Sequence, residues 1–307
     1  MKKLILLMCI ALTGLVYGQL DGINPAVQES PIANMLNATD FRNVGPFRTS
    51  AWITEIAVPE APLHDHLYTI YAASRSGGLW KTTNNGITWE PISDSVDVGA
   101  VGAVALAPSN SDIVWMGTGA NDLARSSYAG KGVYKSTDAG ATWQFMGLPE
   151  SHHIARIVVH PTDPNTVWVA AMGHLFSRNE ERGVFRTRDG GDTWTKVLYI
   201  DDGTGAIDLV INRESPNTLF AAMYEKHRMP WQLVLGGPGT GVYRTDDGGT
   251  TWQQLEGLPS GDVGRIGLDL NQASGVLHAV VENVNPRPVG WPARHDACSP
   301  DREISGR

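Results

Sequence analysis

Four segments of the chain repeat almost the same line of twelve residues. They read "GLWKTTNNGITW" (78–89), "GVYKSTDAGATW" (132–143), "GVFRTRDGGDTW" (183–194) and "GVYRTDDGGTTW" (241–252). Each ends in a box of the form Ser/Thr-x-Asp/Asn-x-Gly-x-Thr-Trp, and the boxes follow one another at intervals of about 50 residues. A period of that length is typical of β-propellers and solenoids, because each repeat is one supersecondary unit that packs on its neighbours.

The residues around each box show what one repeat is made of. Upstream lie two apolar lines, such as "ARIVVHP" (155–161) and "NTVWVAAMG" (165–173), and a short alternating segment follows the box. These lines are rich in Val, Ile and aromatic residues and are bounded by Gly, Pro, Asn and Asp, which is typical of strands. Four strands per repeat without a helical period predict an all-β fold. We expect a β-propeller of four-stranded blades, with about four and a half blades over residues 41–283.

Each box is predicted to join the third strand of a blade to the fourth. Its Asp or Asn can accept hydrogen bonds from turn amides, its glycine can adopt positive φ, and its tryptophan can pack between neighbouring blades. We therefore assign the boxes a structural role rather than a catalytic one. The box residues are Asn84, Gly86, Trp89, Asp138, Gly140, Trp143, Asp189, Gly191 (or Gly190), Trp194, Asp247, Gly249 and Trp252.

With these lines the chain resembles the Asp-box (BNR) repeat proteins. This group includes sialidases, xyloglucanase-type glycoside hydrolases, sortilin/Vps10 domains and photosystem II assembly factors. The stretches "GGLWKTTNNGITWEPI" and "GTGANDLARSSYAGKGVYKSTDAGATW" are most similar to exported bacterial proteins that are sortilin-like or glycosyl hydrolase-like. The resemblance implies the propeller fold and says little about function, because one fold carries many activities.

The N-terminus predicts export. Lys2 and Lys3 precede an apolar run that is too short to span a bilayer, so residues 1–18 are interpreted as a signal peptide and 19–40 as a lead-in. We expect a periplasmic, cell-surface or secreted protein with no membrane span in the mature chain. Removal of Cys9 would leave Cys298 alone, so no internal disulfide is expected. The net charge of −8 gives no reason to expect a nucleic-acid partner.

A fifth repeat begins near residue 264, but no box completes it. Residues 284–307 contain prolines, arginines and Cys298 instead. Because propellers usually close into a ring, we expect a truncated or frame-shifted chain. The alternative is a half-propeller that missing blades, a partner or a second copy would complete.

Loops that join the second strand to the third share one face with the connections between blades, and we place candidate ligand contacts there. Arginines and aromatics at a rim suit carboxylate or sugar recognition. The candidates are Arg75, Asn121, Arg125, Tyr128, His174, Arg178, His227 and Trp231. Asp122 and Glu180 are weak candidates for catalytic carboxylates. Resemblance to xyloglucanase-type enzymes implies an aspartate two residues before Gly77-Gly78, where this chain has Arg75.

The sequence is consistent with two functions. The first is an exported binding or scaffold module for a protein, peptide or glycan. The second is a propeller-type glycoside hydrolase, which would need two carboxylates across a groove. No cofactor is predicted. No metal site is predicted either, since His64–His66 offers too few ligands and His152 and His153 should face opposite ways.

Overall fold

The computed structural model describes residues 52–60, 62, 64–259 and 263–284. The predicted signal peptide, the lead-in, Cys298 and nearly all of the 284–307 tail lie outside the described residues. Within the described ranges no helix is long and apolar enough to cross a membrane. The helices there are two short 3-10 turns, His64–His66 and Pro149–Ser151.

Strands form four successive antiparallel blades and one further two-stranded sheet. The blade 1 strands are β1 (Ile53–Ala57), β2 (Ile70–Ser74), β3 (Gly78–Thr82) and β4 (Glu90–Pro91). The blade 2 strands are β5 (Val101–Ala107), β6 (Asn110–Thr118), β7 (Val133–Ser136) and β8 (Gln144–Gly147). The blade 3 strands are β9 (Ile154–Val159), β10 (Val167–Ala171), β11 (Gly183–Thr187) and β12 (Thr195–Leu198).

Blade 4 carries an extra strand on its second strand. Its strands are β13 (Thr204–Ile211), β14 (Leu219–Arg228), β15 (Leu233–Leu235), β16 (Gly241–Thr245) and β17 (Gln253–Gln254). The last sheet pairs β18 (Val263–Leu270) with β19 (Leu277–Asn283). The prediction of an all-β propeller with four full blades and part of a fifth is therefore confirmed.

The hydrophobic core lies between the blades. Separate clusters of buried residues fill the boundary between each blade and the next, and the last fills the boundary between blade 4 and the two-stranded sheet. Tyr71, Trp115 and Trp168 occupy equivalent places on the second strands and are fully or almost fully buried. Apolar side chains that leave water in this way stabilise the fold by about 1.5–3 kcal/mol each.

Each box forms a hydrogen-bonded turn. In blade 3, Thr187 Oγ1 donates to Asp189 Oδ1 at 2.7 Å and accepts a hydrogen bond from the Gly191 amide at 2.9 Å. The Thr193 amide donates to the same carboxylate oxygen at 2.9 Å. The same set of hydrogen bonds recurs in the other three boxes. Gly191 has φ +105°, so a glycine is needed where this turn closes.

The first strands of the blades and β18 line an axial cavity of about 380 Å³. Arg156 on β9 crosses it: its guanidinium contacts Glu55 of β1 and lies 3.1 Å from Asp208 of β13. Both carboxylates also accept backbone hydrogen bonds, Glu55 from Val104 of blade 2 and Asp208 from Leu268 of the last sheet. One arginine thus links all five sheets through charge-assisted hydrogen bonds.

Candidate functional site

The loops between second and third strands meet the connections between blades at one end of the propeller, here called the loop face. Direct contacts show that these loops are neighbours. Arg75 reaches from blade 1 to Ser126 in blade 2 at 3.0 Å. The Arg228 amide of blade 4 donates to the Leu175 carbonyl of blade 3 at 2.9 Å. These contacts place the loops of blades 1 and 2 side by side, and likewise those of blades 3 and 4.

Arg75 and Asp122 pair with each other. Arg75 Nη1 lies 2.9 Å from Asp122 Oδ2, and the arginine is only 8% exposed. The guanidinium also stacks 4.7 Å from the ring centroid of Trp52. Ser127 Oγ donates to the other carboxylate oxygen of Asp122 at 2.8 Å. Both residues are on the predicted face, and their charges are engaged in linking blade 1 to blade 2.

Asn121 and His153 also hold the loops together. The Asn121 amide nitrogen donates to the carbonyls of Gly102 and Ala155, at 2.8 and 3.4 Å. His153 is buried, with Nδ1 2.9 Å from the Ala120 carbonyl. Burial lowers the pKa of His153 to about 4, so the ring is neutral near pH 7. These contacts position the 119–132 loop.

His174 contacts His152 and Glu150, two residues that no sequence pattern connects to it. Its ring stacks on His152, with centroids 3.6 Å apart, and its Nε2 lies 3.3 Å from Glu150 Oε2. Burial, and then the neighbouring His174, lower the pKa of His152. Asn179 connects the two loops, because its side chain donates to the Glu150 carbonyl and accepts from the His174 amide. The sequence draws attention to His152, but no pattern along the chain indicates its partner on another loop.

Further round the face, Arg178 forms an exposed ion pair with Asp202 at 2.6 Å. Glu180 is exposed, and its backbone carbonyl accepts a hydrogen bond from the Lys196 ammonium. His227 is only 8% exposed, and burial lowers its pKa. The neighbouring Lys226 has its pKa lowered to about 8, first by burial and then by Arg265 and Arg228.

Besides Arg178, three of the predicted ligand residues present their side chains to solvent. Arg125 is exposed, Tyr128 is 62% exposed and Trp231 is 81% exposed. Tyr128 also borders a cavity of about 300 Å³ between blades 1 and 2. Polar groups of Ser76, Asp97 and Lys131 line the same cavity. A concave site that combines an aromatic ring with a few polar groups can bind a small polar molecule such as a sugar.

The family model described as "Sortilin, neurotensin receptor 3", of the Sortilin-Vps10 family, matches residues 77–232. The chain belongs to the Sortilin-Vps10 family. The matched region extends from the start of β3 in blade 1 through the blade 4 loop that contains Trp231.

Curated relatives of this Sortilin-Vps10 chain include xyloglucanases. The xyloglucanase of Paenibacillus sp is 26% identical over 238 residues, which is 70% of this chain and 22% of that protein. The xyloglucanase of Hypocrea jecorina is 25% identical over 214 residues, 61% of this chain and 24% of that protein. The chain thus spans about a quarter of the length of the curated relatives it matches.

Solved structures support the same architecture. An ancestral GH74 enzyme matches with a TM-score of 0.55 and 23% identity, over 75% of this chain and 27% of that one. The GH74 enzyme of Niastella koreensis matches with a TM-score of 0.55 and 18% identity, over 74% and 33% of the two chains. Together with the relatives, they describe a glycoside hydrolase-like propeller. At these identities the structures establish the fold alone.

Proposed function

We propose that this chain is the glycan-recognising part of a glycoside hydrolase-like propeller, and that polysaccharide binds on the loop face. The cavity beside Tyr128 carries the proposal. It places an exposed aromatic ring next to a hydroxyl group and to the exposed ion pair of Lys131 with Asp97, whose Nζ and Oδ2 atoms lie 2.5 Å apart. The chain is similar to a xyloglucanase over 70% of its length. Sugars present apolar C–H faces and many hydroxyls, so a ring for stacking and polar groups for hydrogen bonding suit them.

Arg125, Arg178 and Trp231 extend this proposed surface beyond the cavity. Their exposure contrasts with the burial of Arg75 and His227, which we assign to positioning the loops. Asn121 and His174 are less exposed, and their hydrogen bonds hold the loops that form the surface. A polysaccharide chain could then contact several blades at once, which raises affinity by making later contacts intramolecular.

The test is affinity electrophoresis of the full chain in gels with and without soluble xyloglucan. We expect retardation that saturates with polysaccharide concentration, and about tenfold weaker retardation for Tyr128→Ala. Tyr68→Ala is the matched control, since Tyr68 is 61% exposed but lies between the first and second strands of blade 1, at the opposite end. Equal behaviour of the two variants, or no retardation of the parent, would overturn the proposal.

The similarity to xyloglucanases favours hydrolysis as a second candidate function. Hydrolysis needs an acid and a second carboxylate on either side of the glycosidic bond. Asp122 and Glu180 are the candidates on the loop face, and Asp122 is already paired with Arg75. Release of reducing ends from xyloglucan, abolished by Glu180→Gln and by Asp122→Asn, would establish this function. Retardation without release of reducing ends would leave binding as the function.

A further inference from the structure

A cluster of three potential ligands lies on the loop face, away from the cavity of Tyr128. Glu150 and His152 belong to the turn between blades 2 and 3, and His174 belongs to the loop after β10. One ligand atom from each residue lies within 4.8 Å of the other two. His174 Nε2 is 3.3 Å and His152 Nε2 is 3.9 Å from the same oxygen, Oε2 of Glu150.

The hydrogen bonds of His174 leave the correct nitrogen available. Its Nδ1 lies 2.9 Å from Ser177 Oγ, which can hold the proton on that side of the ring. Its Nε2 is buried and has no hydrogen-bond partner, although Glu150 is close, because the geometry of that contact is poor. A histidine fixed through one nitrogen and unpartnered at the other is the usual state of a metal ligand.

The turn that carries the other two ligands is held rigidly. His152 has φ +50° and ψ −42°, which a non-glycine residue rarely adopts. Its carbonyl accepts a hydrogen bond from the Gly130 amide at 2.6 Å, and a Cβ atom on Gly119 would come within 1.9 Å of that carbonyl oxygen. The backbone of blade 2 therefore fixes His152 in an unfavourable conformation, which is a common feature of functional sites.

From this geometry we propose that Glu150, His152 and His174 bind one divalent transition-metal cation, such as Zn²⁺. Two imidazoles and a carboxylate are a ligand set that such cations favour. Ligands 2.0–2.1 Å from zinc at tetrahedral angles stand about 3.3 Å apart, which is the separation of His174 and Glu150. Water would supply the fourth ligand, since the Glu150 side chain is 60% exposed.

Metal binding requires one movement that the structure allows. The two imidazoles stack with only 20° between their planes, so their in-plane lone pairs lie in two nearly parallel planes and do not converge on one point. One ring must turn for both to reach a single ion. His152 is the more exposed of the two and has no hydrogen bond that fixes its ring in the described part of the chain, so it is the ring that turns. The bound ion would then connect the 149–153 turn to the 173–182 loop.

The experiment uses the untagged full chain, stripped of metal with a chelator and titrated with Co²⁺ as a spectroscopic substitute for Zn²⁺. We expect one Co²⁺ per chain with visible absorption typical of a low-coordinate nitrogen and oxygen site, displaced by Zn²⁺. His152→Ala and His174→Ala should each weaken binding at least about tenfold. His66→Ala is the matched control, because His66 also lies 3.1 Å from a carboxylate, that of Asp112, but at the opposite end of blade 1.

Glu150→Gln separates lost coordination from lost folding. It keeps the Glu150 backbone carbonyl that accepts from Asn179, and it removes one charged ligand. Circular dichroism of each metal-free variant shows whether the fold persists. Weaker Co²⁺ binding by folded Glu150→Gln supports the site even if a histidine variant unfolds. Co²⁺ binding that is unchanged in Glu150→Gln, or no weaker in the histidine variants than in His66→Ala, would overturn the proposal. The proposed metal site does not depend on glycan binding, which the Tyr128→Ala variant tests separately.

Discussion

The boundary between blades 2 and 3 and the side of blade 4 that faces the two-stranded sheet carry the same types of residue, but the cations among them have different hydrogen-bond partners. At the boundary, Lys135 donates from β7 to the Gly190 carbonyl in the box of blade 3, at 3.0 Å. Trp194 of that box donates back to the Met146 carbonyl of blade 2 at 2.7 Å. In blade 4 the equivalent cation, Arg244, turns to Asp246 beside it at 3.0 Å.

The hydrogen bond from a cation to the box of the next blade recurs at the other boundaries between blades. Lys81 donates to Ala139 of the next box and Arg186 donates to Gly248 of the next box. The residue three positions before the box Asp or Asn is a cation in all four repeats, and in the first three it donates to the box of the following blade. The comparison teaches that the boxes of blades 2, 3 and 4 have two roles: each closes its own turn, and each offers a carbonyl to the blade before it.

The largest effect should come from removing a box tryptophan at an interior boundary. Trp194 packs edge-on against Trp115, with centroids 6.2 Å apart, in addition to its hydrogen bond. Trp194→Ala should lower the free energy of unfolding by about 3 kcal/mol, from lost burial and an unpaired carbonyl. Trp89 in blade 1 is 39% exposed, so Trp89→Ala should cost about 1 kcal/mol. Urea unfolding measures both, and equal losses would refute the distinction between a box tryptophan that packs on the preceding blade and one that is exposed.

A smaller effect is expected from the cations. Lys135→Met should lower the free energy of unfolding by about 1 kcal/mol, because a partly buried hydrogen bond to the Gly190 carbonyl is lost. Arg244→Met removes a partly exposed ion pair with Asp246 and a contact of the guanidinium with the Phe220 ring, 5.7 Å from its centroid, and should cost less than about 0.5 kcal/mol. Thermal unfolding of the two variants beside the parent provides the comparison. A larger loss for Arg244→Met would show that the hydrogen bond to the next box does not govern stability.

The smallest effect is expected on the stability of the fold at low pH, where the box carboxylates become protonated. Hydrogen bonds from Thr142 and Ser136 to the Asp138 carboxylate lower its pKa to about 2, from a usual value of 3.8. The unfolded chain then takes up this proton first as the pH falls, so the contribution is complete above pH 3.8 and is lost as the pH falls to about 2. Asn84 occupies this position in blade 1 and has no such dependence.

Asp138→Asn should therefore make the decline of the unfolding temperature between pH 4 and pH 2 slightly shallower. The change should be small, because Asp138 is one of several carboxylates that contribute to the decline. The decline is followed by circular dichroism at a series of pH values. Asp65→Asn is a suitable control, since it removes a carboxylate from outside the boxes. A steeper decline in Asp138→Asn would contradict the role of the box carboxylate.

The sequence predicts the blades and boxes well because their determinants are local. A box needs only eight residues, such as Thr187 to Trp194, and all its internal hydrogen bonds lie within them. The recurring cation before each box was also visible in the four lines. Its role was not predicted, because its acceptor belongs to the next repeat, some 50 residues away.

The loop face was harder to predict for the same reason. Sequence placed Arg75 and Asp122 on one face, but their pairing depends on how blades 1 and 2 pack. His152 and His174 lie on different loops, and no pattern along the chain connects them to Glu150. Propensity and spacing determine which residues reach the surface. Only the packing of neighbouring blades determines which of them remain free for a ligand.

The cation of one blade donates to a box that lies later in the chain, and this order has a consequence for folding during synthesis on the ribosome. Lys81 and Tyr71 of blade 1 both donate to Ala139, which the ribosome adds only when the box of blade 2 is made. Each blade thus emerges with donors that have no acceptor until the next one follows. Folding during translation should then lag by one blade, and a pause just after a box should leave a better-ordered nascent chain than a pause just before it.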